Sequence, residues 1–166
     1  TQGVSSAASD VYKRQIEVLQ APDMAELAVD VVIGLQCPHR QSVGEIVARR
    51  ANTDLYQSLP SLAGLIARAD LAIGAGGATT WERACLGLPT LAVATAENQV
   101  LPLQALNAAT TLPTLSTLDF AQSILDSFKA IKATPGFVKS VSKKLSTLVS
   151  GQGCRIVAKH LLASDD

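Results

Sequence analysis

Gly74-Ala-Gly-Gly-Ala-Thr-Thr-Trp-Glu82 joins an apolar stretch, Asp70-Leu-Ala-Ile73, to a helical one running from Trp81 to Leu86. A strand that feeds a glycine-rich turn and a helix that leaves it is the layout of a phosphate-binding turn. Backbone N–H groups at a helix start have no intrahelical partner and carry the positive end of the peptide dipoles, so an anion lying there meets donors already aimed at it. The glycines allow close approach. Thr79 and Thr80 can cap the helix and offer hydroxyls, and Glu82, one turn in, can accept from a sugar diol. This chemistry suits a nucleotide. The same spacing, Thr79-x-x-Glu82, also fits a capping box, in which threonine and glutamate satisfy each other's backbone donors without any ligand.

Working outward, two periods alternate from Ile16 onward. Ile16 to Leu19 and Met24 to Leu27 read as remnants of a helix interrupted by Pro22. Val29-Asp-Val-Val-Ile33 is a β-branched run ended by Gly34, the first clear strand. Val43, Ile46 and Val47 repeat at helical spacing with Ser42 as N-cap, Asp54 to Leu59 reads as a short strand before Pro60, and Leu62, Leu65 and Ile66 restart the helical period. Asp70 to Ile73, the turn, its helix and the strand Thr90 to Ala94 complete a β-α-β-α-β-α-β order. Such alternation predicts right-handed crossovers, a mostly parallel sheet and a ligand site at the carboxyl ends of the strands. The last third is helical: Ala121, Ile124, Leu125, Phe128 and Ile131 share one face, Val141, Leu145 and Leu148 another, with Pro135-Gly136 between them, and Arg155 to Leu162 forms a final segment. All three read as packing helices.

Composition narrows the classes. The 166 residues are 48% apolar and 4% aromatic, enough for one core built from Leu, Ala, Val and Ile, which suits parallel strands covered by helices. Net charge is zero without a Lys/Arg block, so neither nucleic acid nor an anionic membrane is expected as a partner. Cys37, Cys85 and Cys154 are odd in number and widely spaced, which argues against a disulfide framework or a zinc site and fits a reducing cytoplasm. No apolar run approaches the roughly 20 residues that span a bilayer. His39, beside Pro38, and His160, beside Lys159, do not form a ligand set, and no D-x-D pair calls for a divalent ion; neither metal nor cofactor is expected. Trp81 reads as a core anchor and Cys85 as a small buried apolar residue.

The opening fifteen residues stand apart. Ser9-Asp-Val-Tyr-Lys-Arg-Gln15 resembles the translated end of a transposase adapter, so residues 1–15 are read as non-native sequence, the alternative being a polar, disordered terminus. An adapter junction implies that the parent protein extends upstream of Ile16. The remaining residues, 16–166, form one incomplete domain, because the pattern begins inside a helix.

Ala69 to Gln99, ADLAIGAGGATTWERACLGLPTLAVATAENQ, is similar to the nucleotide-binding segment of the UDP-sugar hydrolases of pseudaminic acid biosynthesis, which in turn resemble the C-terminal half of MurG-type glycosyltransferases. The strings T-T-W-E-R, L-G-L-P and E-N-Q carry the likeness, supported by Val31-Val-Ile-Gly34 and Gly151-Gln-Gly-Cys-Arg-Ile-Val-Ala158. The resemblance implies an α/β, Rossmann-like, mostly parallel sheet with flanking helices, the C-terminal domain of a GT-B type fold. It implies that Ala75, Gly76, Gly77, Ala78, Thr79 and Thr80 hold a diphosphate, that Glu82 accepts from the ribose hydroxyls, and that Asn98 and Gln99 lie near the sugar or its phosphate. Asn98 also reads as an ordinary helix cap. The family's general base is a histidine in a glycine-rich loop of an N-terminal domain; no G-x-G-H string occurs here, so no catalytic residue is assigned to this chain. The expectation is a UDP-sugar binding half whose catalytic partner domain belongs to the same parent chain, inactive and weakly binding on its own. A MurG-like transferase donor domain and a non-enzymatic α/β binding module are the competing readings.

Overall fold

The computed structural model describes residues 17–18 and 20–163; the adapter-like stretch, and Ile16 and Leu19 of the helix remnant, lie outside the described residues. The chain is a mixed α/β protein, with parallel strands covered by helices in a Rossmann-like arrangement. In chain order it forms β1 (Val29–Ile33), α1 (Arg40–Ala48), β2 (Thr53–Gln57), α2 (Ala63–Arg68), β3 (Ala72–Ala75), α3 (Thr79–Cys85) and β4 (Thr90–Val93). Then follow α4 (Val100–Thr110), β5 (Thr114–Leu115), α5 (Phe120–Ala133), α6 (Phe137–Leu148) and α7 (Gly153–Ala163). Short 3-10 turns cover Pro22–Met24 and Glu97–Gln99.

The strands fall into two parallel sheets, β1-β2 and β3-β4-β5. Asp30 pairs with Asp54 in the first; Ile73 pairs with Leu91 and Ala92 with Thr114 in the second. β4 is buried along its whole length, as a central parallel strand must be when helices cover both its faces. Leu91 and Val93 point to one face, where they meet Leu115, Phe120 and Ile124 together with Val18 and Met24 from the segment before β1. On the opposite face lie Gly74, backed by Arg83, and a second cluster of Ala84, Leu106, Val141 and Leu145 from α3, α4 and α6 with Leu112 from the loop after α4. Val31 and Ile33 pack on Val43 and Val47 of α1, and Val29 touches both this cluster and the one around Leu91. The two sheets therefore share one continuous apolar layer.

Polar contacts tie the crossovers down. Arg68 of α2 forks onto Asp30 of β1, Nε and Nη2 donating at 3.0 and 2.7 Å, and Nη2 also donates to the Tyr56 hydroxyl at 2.8 Å. The Asp30 carboxylate and Tyr56 raise the Arg68 guanidinium above its ordinary range. Arg50 donates to the Leu27 carbonyl at 2.8 Å and to the Thr53 hydroxyl at 2.6 Å, which holds the segment before β1 against the start of β2.

Several sequence expectations shift. β3 begins at Ala72 instead of Asp70 and takes in Gly74 and Ala75, because those residues continue the ladder to Ala92 and Val93 of β4. β2 starts one residue earlier than expected and stops at Gln57, where Ser58 turns to a φ of 55°. Ser42 is not the cap of α1: the helix begins at Arg40, and the Ser42 hydroxyl donates back to His39 O at 3.0 Å. The third strand of the second sheet, Thr114–Leu115, is too short to leave a periodic signature. α7 does not pack as expected; it has no buried residue, and Ile156, Val157, Leu161 and Leu162 stand exposed. No described helix is long and apolar enough to cross a membrane.

This layout separates residues that hold the fold from residues that do not. Ile124, fully buried beneath β4, is expected to destabilise the chain by about 2–5 kcal/mol when changed to Ala. Leu161→Ala on exposed α7 should stay within about 0.5 kcal/mol. Urea denaturation followed by circular dichroism measures both, and equal effects would contradict the burial described here.

Candidate functional site

β3 and β4 are hydrogen-bonded neighbours, so their carboxyl ends deliver two segments to one edge of the sheet: Gly76 to Thr80 after β3 and Thr95 to Gln99 after β4. That edge is where doubly wound sheets take their ligands. Gly76 still belongs to the ladder, its N–H donating to Val93 O at 2.9 Å. The chain then turns through Gly77 and Ala78 into α3. The N–H groups of Thr80 and Trp81 fold back onto the carbonyls of Gly77 and Ala78 at 3.0 Å each. Among the described residues, the N–H groups of Gly77, Ala78 and Thr79 donate to no backbone carbonyl. These three belong to the six residues expected to hold a diphosphate, and their backbone donors meet no protein carbonyl.

The three glycines of the turn serve different ends. A Cβ at Gly74 would fall 2.9 Å from Arg83 Nη1, and one at Gly76 would fall 2.5 Å from Leu103 Cδ1 of α4. Both are closer than a side chain tolerates without a shift: at Gly76 the neighbour is a buried leucine that has little room to give, and at Gly74 it is the end of the Arg83 side chain, which would have to move. A Cβ at Gly77 would meet nothing within 4 Å. Gly77 is therefore small without any demand from the described fold.

Neither threonine caps α3. The N-cap position is Ala78, no side-chain cap bond forms, and Thr79 is the first helical residue. The expected capping box is thus absent, because Thr79 sits one residue too far along. Thr80 is buried, its hydroxyl donating to Ala75 O at 3.3 Å and accepting from Arg83 Nη2 at 3.1 Å. It braces the turn from beneath. Glu82 is exposed on the first turn of α3, and Trp81 is 43% exposed, so it is not the core anchor expected. Helix α3 closes with paired bonds, Gly87 N–H to Ala84 O at 3.0 Å and Leu88 N–H to Arg83 O at 2.8 Å, with Gly87 at a φ of 73° that favours glycine.

On the neighbouring loop, Asn98 is exposed and does not cap α4, whose N-cap position is Gln99 without a side-chain cap bond. Gln99 is only half free: its Oε1 accepts from Thr95 N at 2.9 Å and from the Thr95 hydroxyl at 3.2 Å, leaving its amide NH2 as donor.

The residue missed by reading the sequence is Arg83. Its guanidinium lies along Gly74 and donates from Nη2 to Ala75 O at 3.1 Å as well as to Thr80. The signal was present in the spacing, since residues three apart on a helix share a face, and Arg83 follows Thr80 by three. Thr95 was missed as well; only the loop geometry shows that it holds Gln99. Cys85 is partly buried, and Cys37, Cys85 and Cys154 are free thiols. Among the described residues no three His, Cys, Asp or Glu side chains gather as a metal site. A separate cavity of about 590 Å³, lined by Asp70, Pro89, Lys132 and Phe137, opens at the amino ends of β3 and β4, the end of the sheet remote from the glycine turn.

No protein-family model matches the chain, and no solved structure matches it significantly. Over 89 residues the chain is 29% identical to the spore coat polysaccharide biosynthesis protein SpsG of Bacillus subtilis (strain 168). The match covers 54% of this chain and 26% of that protein, so the chain corresponds to about a quarter of the relative's length.

The packing of the turn is open to a direct measurement. Gly76→Ala should destabilise by about 1–3 kcal/mol through the clash with Leu103. The double variant Gly76→Ala/Leu103→Ala should lose less than the sum of its two single variants, because removing the isobutyl group makes room for the new methyl. Strict additivity in the double-mutant cycle would show that the two residues do not meet.

Proposed function

We propose that this chain is the UDP-binding part of a nucleotide-sugar enzyme. The free N–H groups of Gly77, Ala78 and Thr79 take the diphosphate, with Ala75, Gly76 and Thr80 shaping the turn. Glu82 accepts from the ribose hydroxyls, and Asn98 with the free amide of Gln99 donates to the sugar or its phosphate. The observation that carries this reading is Gly77. Internal packing accounts for Gly74 and Gly76, whereas the side chain missing at Gly77 leaves space that a ligand can use to approach the backbone. The likeness to a polysaccharide biosynthesis protein supports an enzyme of sugar metabolism.

The finer reading is a hydrolase acting in the cytoplasm on a UDP-linked diacetamido-trideoxy sugar of pseudaminic acid biosynthesis, with this chain supplying the C-terminal domain of a GT-B type fold. Water attacks the anomeric carbon, the bond from that carbon to the diphosphate oxygen breaks, and UDP leaves. The part played by the residues described here is to hold the departing diphosphate with preorganised donors, which stabilises charge where it develops. The base that activates water is assigned to the remainder of the parent chain. A transferase donor domain would use the same turn and differ in requiring an acceptor; the T-T-W-E-R and E-N-Q strings favour the hydrolase.

The test uses the parent protein carrying this segment. Calorimetry should show UDP binding much more tightly than inorganic phosphate, and equal affinity for the two would defeat the nucleotide reading. Gly77→Ala should leave thermal stability within about 0.5 kcal/mol yet weaken UDP binding by about tenfold, roughly 1.4 kcal/mol. Glu82→Ala should weaken UDP by about 10- to 100-fold, the range of a hydrogen bond to a charged group, again with little change in stability since Glu82 is exposed and caps nothing. UDP release from a UDP-sugar without any acceptor would separate hydrolase from transferase.

A further inference from the structure

Helix α5 covers β4 from the Leu91 face and α6 packs on the opposite one, so the chain between them passes around the ends of the strands. It does so at the amino ends of β3 and β4, through Thr134, Pro135 and Gly136, the last at a φ of 77°. The cavity of about 590 Å³ lies against this passage. Buried Gly87 and Pro89 form its floor, and Ile131 and Phe137, which belong to the two opposite apolar clusters, form its walls. A space of this size with an apolar floor and a few polar groups is what a small-molecule site requires.

The polar groups that line it are unsatisfied by the protein. Among the described residues the Asp70 carboxylate, the Lys132 and Lys139 ammonium groups and the Ser142 hydroxyl make no hydrogen bond and no ion pair. A carboxylate and two ammonium groups thus share one space without closing on each other. Ser142 is half-buried beside Gly87, where a Cβ would fall 2.9 Å from its Oγ. Between Asp126 and Asp165 the sequence has no acidic residue, whereas α5 and α6 together carry five lysines, so the field over this corner is positive. The N–H groups of Val138 and Lys139, at the start of α6, also donate to no backbone carbonyl. A helix start alone is an ordinary feature of any fold; here it borders a cavity lined by two cations and a carboxylate.

From this arrangement we infer that the cavity is a second ligand site, suited to a small phosphorylated sugar. The phosphate takes charge-assisted hydrogen bonds from Lys132 and Lys139 beside the start of α6. Asp70 and Ser142 take sugar hydroxyls, the carboxylate accepting and the hydroxyl donating or accepting. The carbon face of the sugar ring rests on Ile131 and Phe137. Asp70 sets the selectivity. A bare phosphate is drawn by the lysines but repelled by the carboxylate, whereas an ester that presents a hydroxyl to Asp70 is held at both ends. The cavity lies at the ends of β3 and β4 remote from the glycine turn, so the inference stands whether or not that turn binds UDP.

Glucose 6-phosphate is the probe, titrated into the 166-residue chain and followed by amide chemical shifts, with inorganic phosphate and glucose as controls. Shifts should gather at Gly87, Gly136, Val138, Lys139 and Ser142 and persist in the presence of UDP. The ester should bind about tenfold or more tightly than either control. Lys132→Ala and Lys139→Ala should each weaken it by about tenfold, the loss of a hydrogen bond to a charged group, and leave the melting temperature unchanged because both side chains are exposed. Asp70→Asn separates the site from a general attraction of anions to lysine-rich helices: it should weaken glucose 6-phosphate while strengthening inorganic phosphate. A change of both affinities in the same direction would overturn the inference, as would equal affinity of the unaltered chain for the two. An absence of shifts at the cavity would overturn it too, and shifts that UDP abolishes would assign the binding to the glycine turn instead.

Discussion

β4 is buried on both faces and paired on both edges, and a strand in that condition needs neighbours on four sides. Its backbone is satisfied by β3 and β5. Its side chains are covered by α5 on the Leu91 face, with α3 and α6 on the other. Parallel neighbours cannot be joined by tight turns, so each strand is separated from the next by a helix, and the placement of α3 and α4 follows. The glycine turn is a consequence of the same condition. A helix leaving β3 for the covered face of the sheet must start within a few residues, and close to α4, where only Gly76 fits beneath Leu103.

Arg83 resolves a problem that this close passage creates. The Ala75 carbonyl ends β3 and would otherwise be left without a partner in a partly buried position, a loss comparable to a missing hydrogen bond. Arg83 and Thr80 both donate to it, and the guanidinium of Arg83 lies in the space left by the missing side chain of Gly74. Two of the three glycines, one threonine and the arginine thus form a single packing unit. What remains outward is Gly77, Ala78, Thr79 and Glu82, and the division between inward and outward residues within one short motif is what lets structure and ligand be tested separately.

Much of this was legible in the sequence, and the failures have physical causes. β1 is legible to the residue because four β-branched positions around Asp30 are bounded by a glycine. The β-α alternation and the parallel class followed from period and composition. β3 was misplaced by two residues because Gly74 and Ala75 look like turn residues; only the register with Ala92 and Val93 shows that they belong to the ladder. The capping box failed because its spacing is blind to where the helix begins: with Ala78 at the cap, Thr79 and Glu82 lie one position late. An amphipathic stripe on α7 says that a helix has an apolar face, but not that a partner is present to cover it. Arg83 escaped because its role depends on a carbonyl eight residues away and on a missing side chain, neither of which composition records.

The glycine turn and the loop after β4 meet at one edge of the sheet. Parallel strands end together, so β3 delivers Gly77 beside Thr95 to Gln99, the loop that β4 delivers. A ligand site at the carboxyl edge of such a sheet is enclosed by the loops of successive strands, and here the described residues supply the loops after β3 and β4. The free donors of Gly77, Ala78 and Thr79 lie in the first of those two loops, at the start of α3. The register of β3 on β4 fixes Gly76, the residue from which the turn departs, through the bond from its N–H to Val93 O.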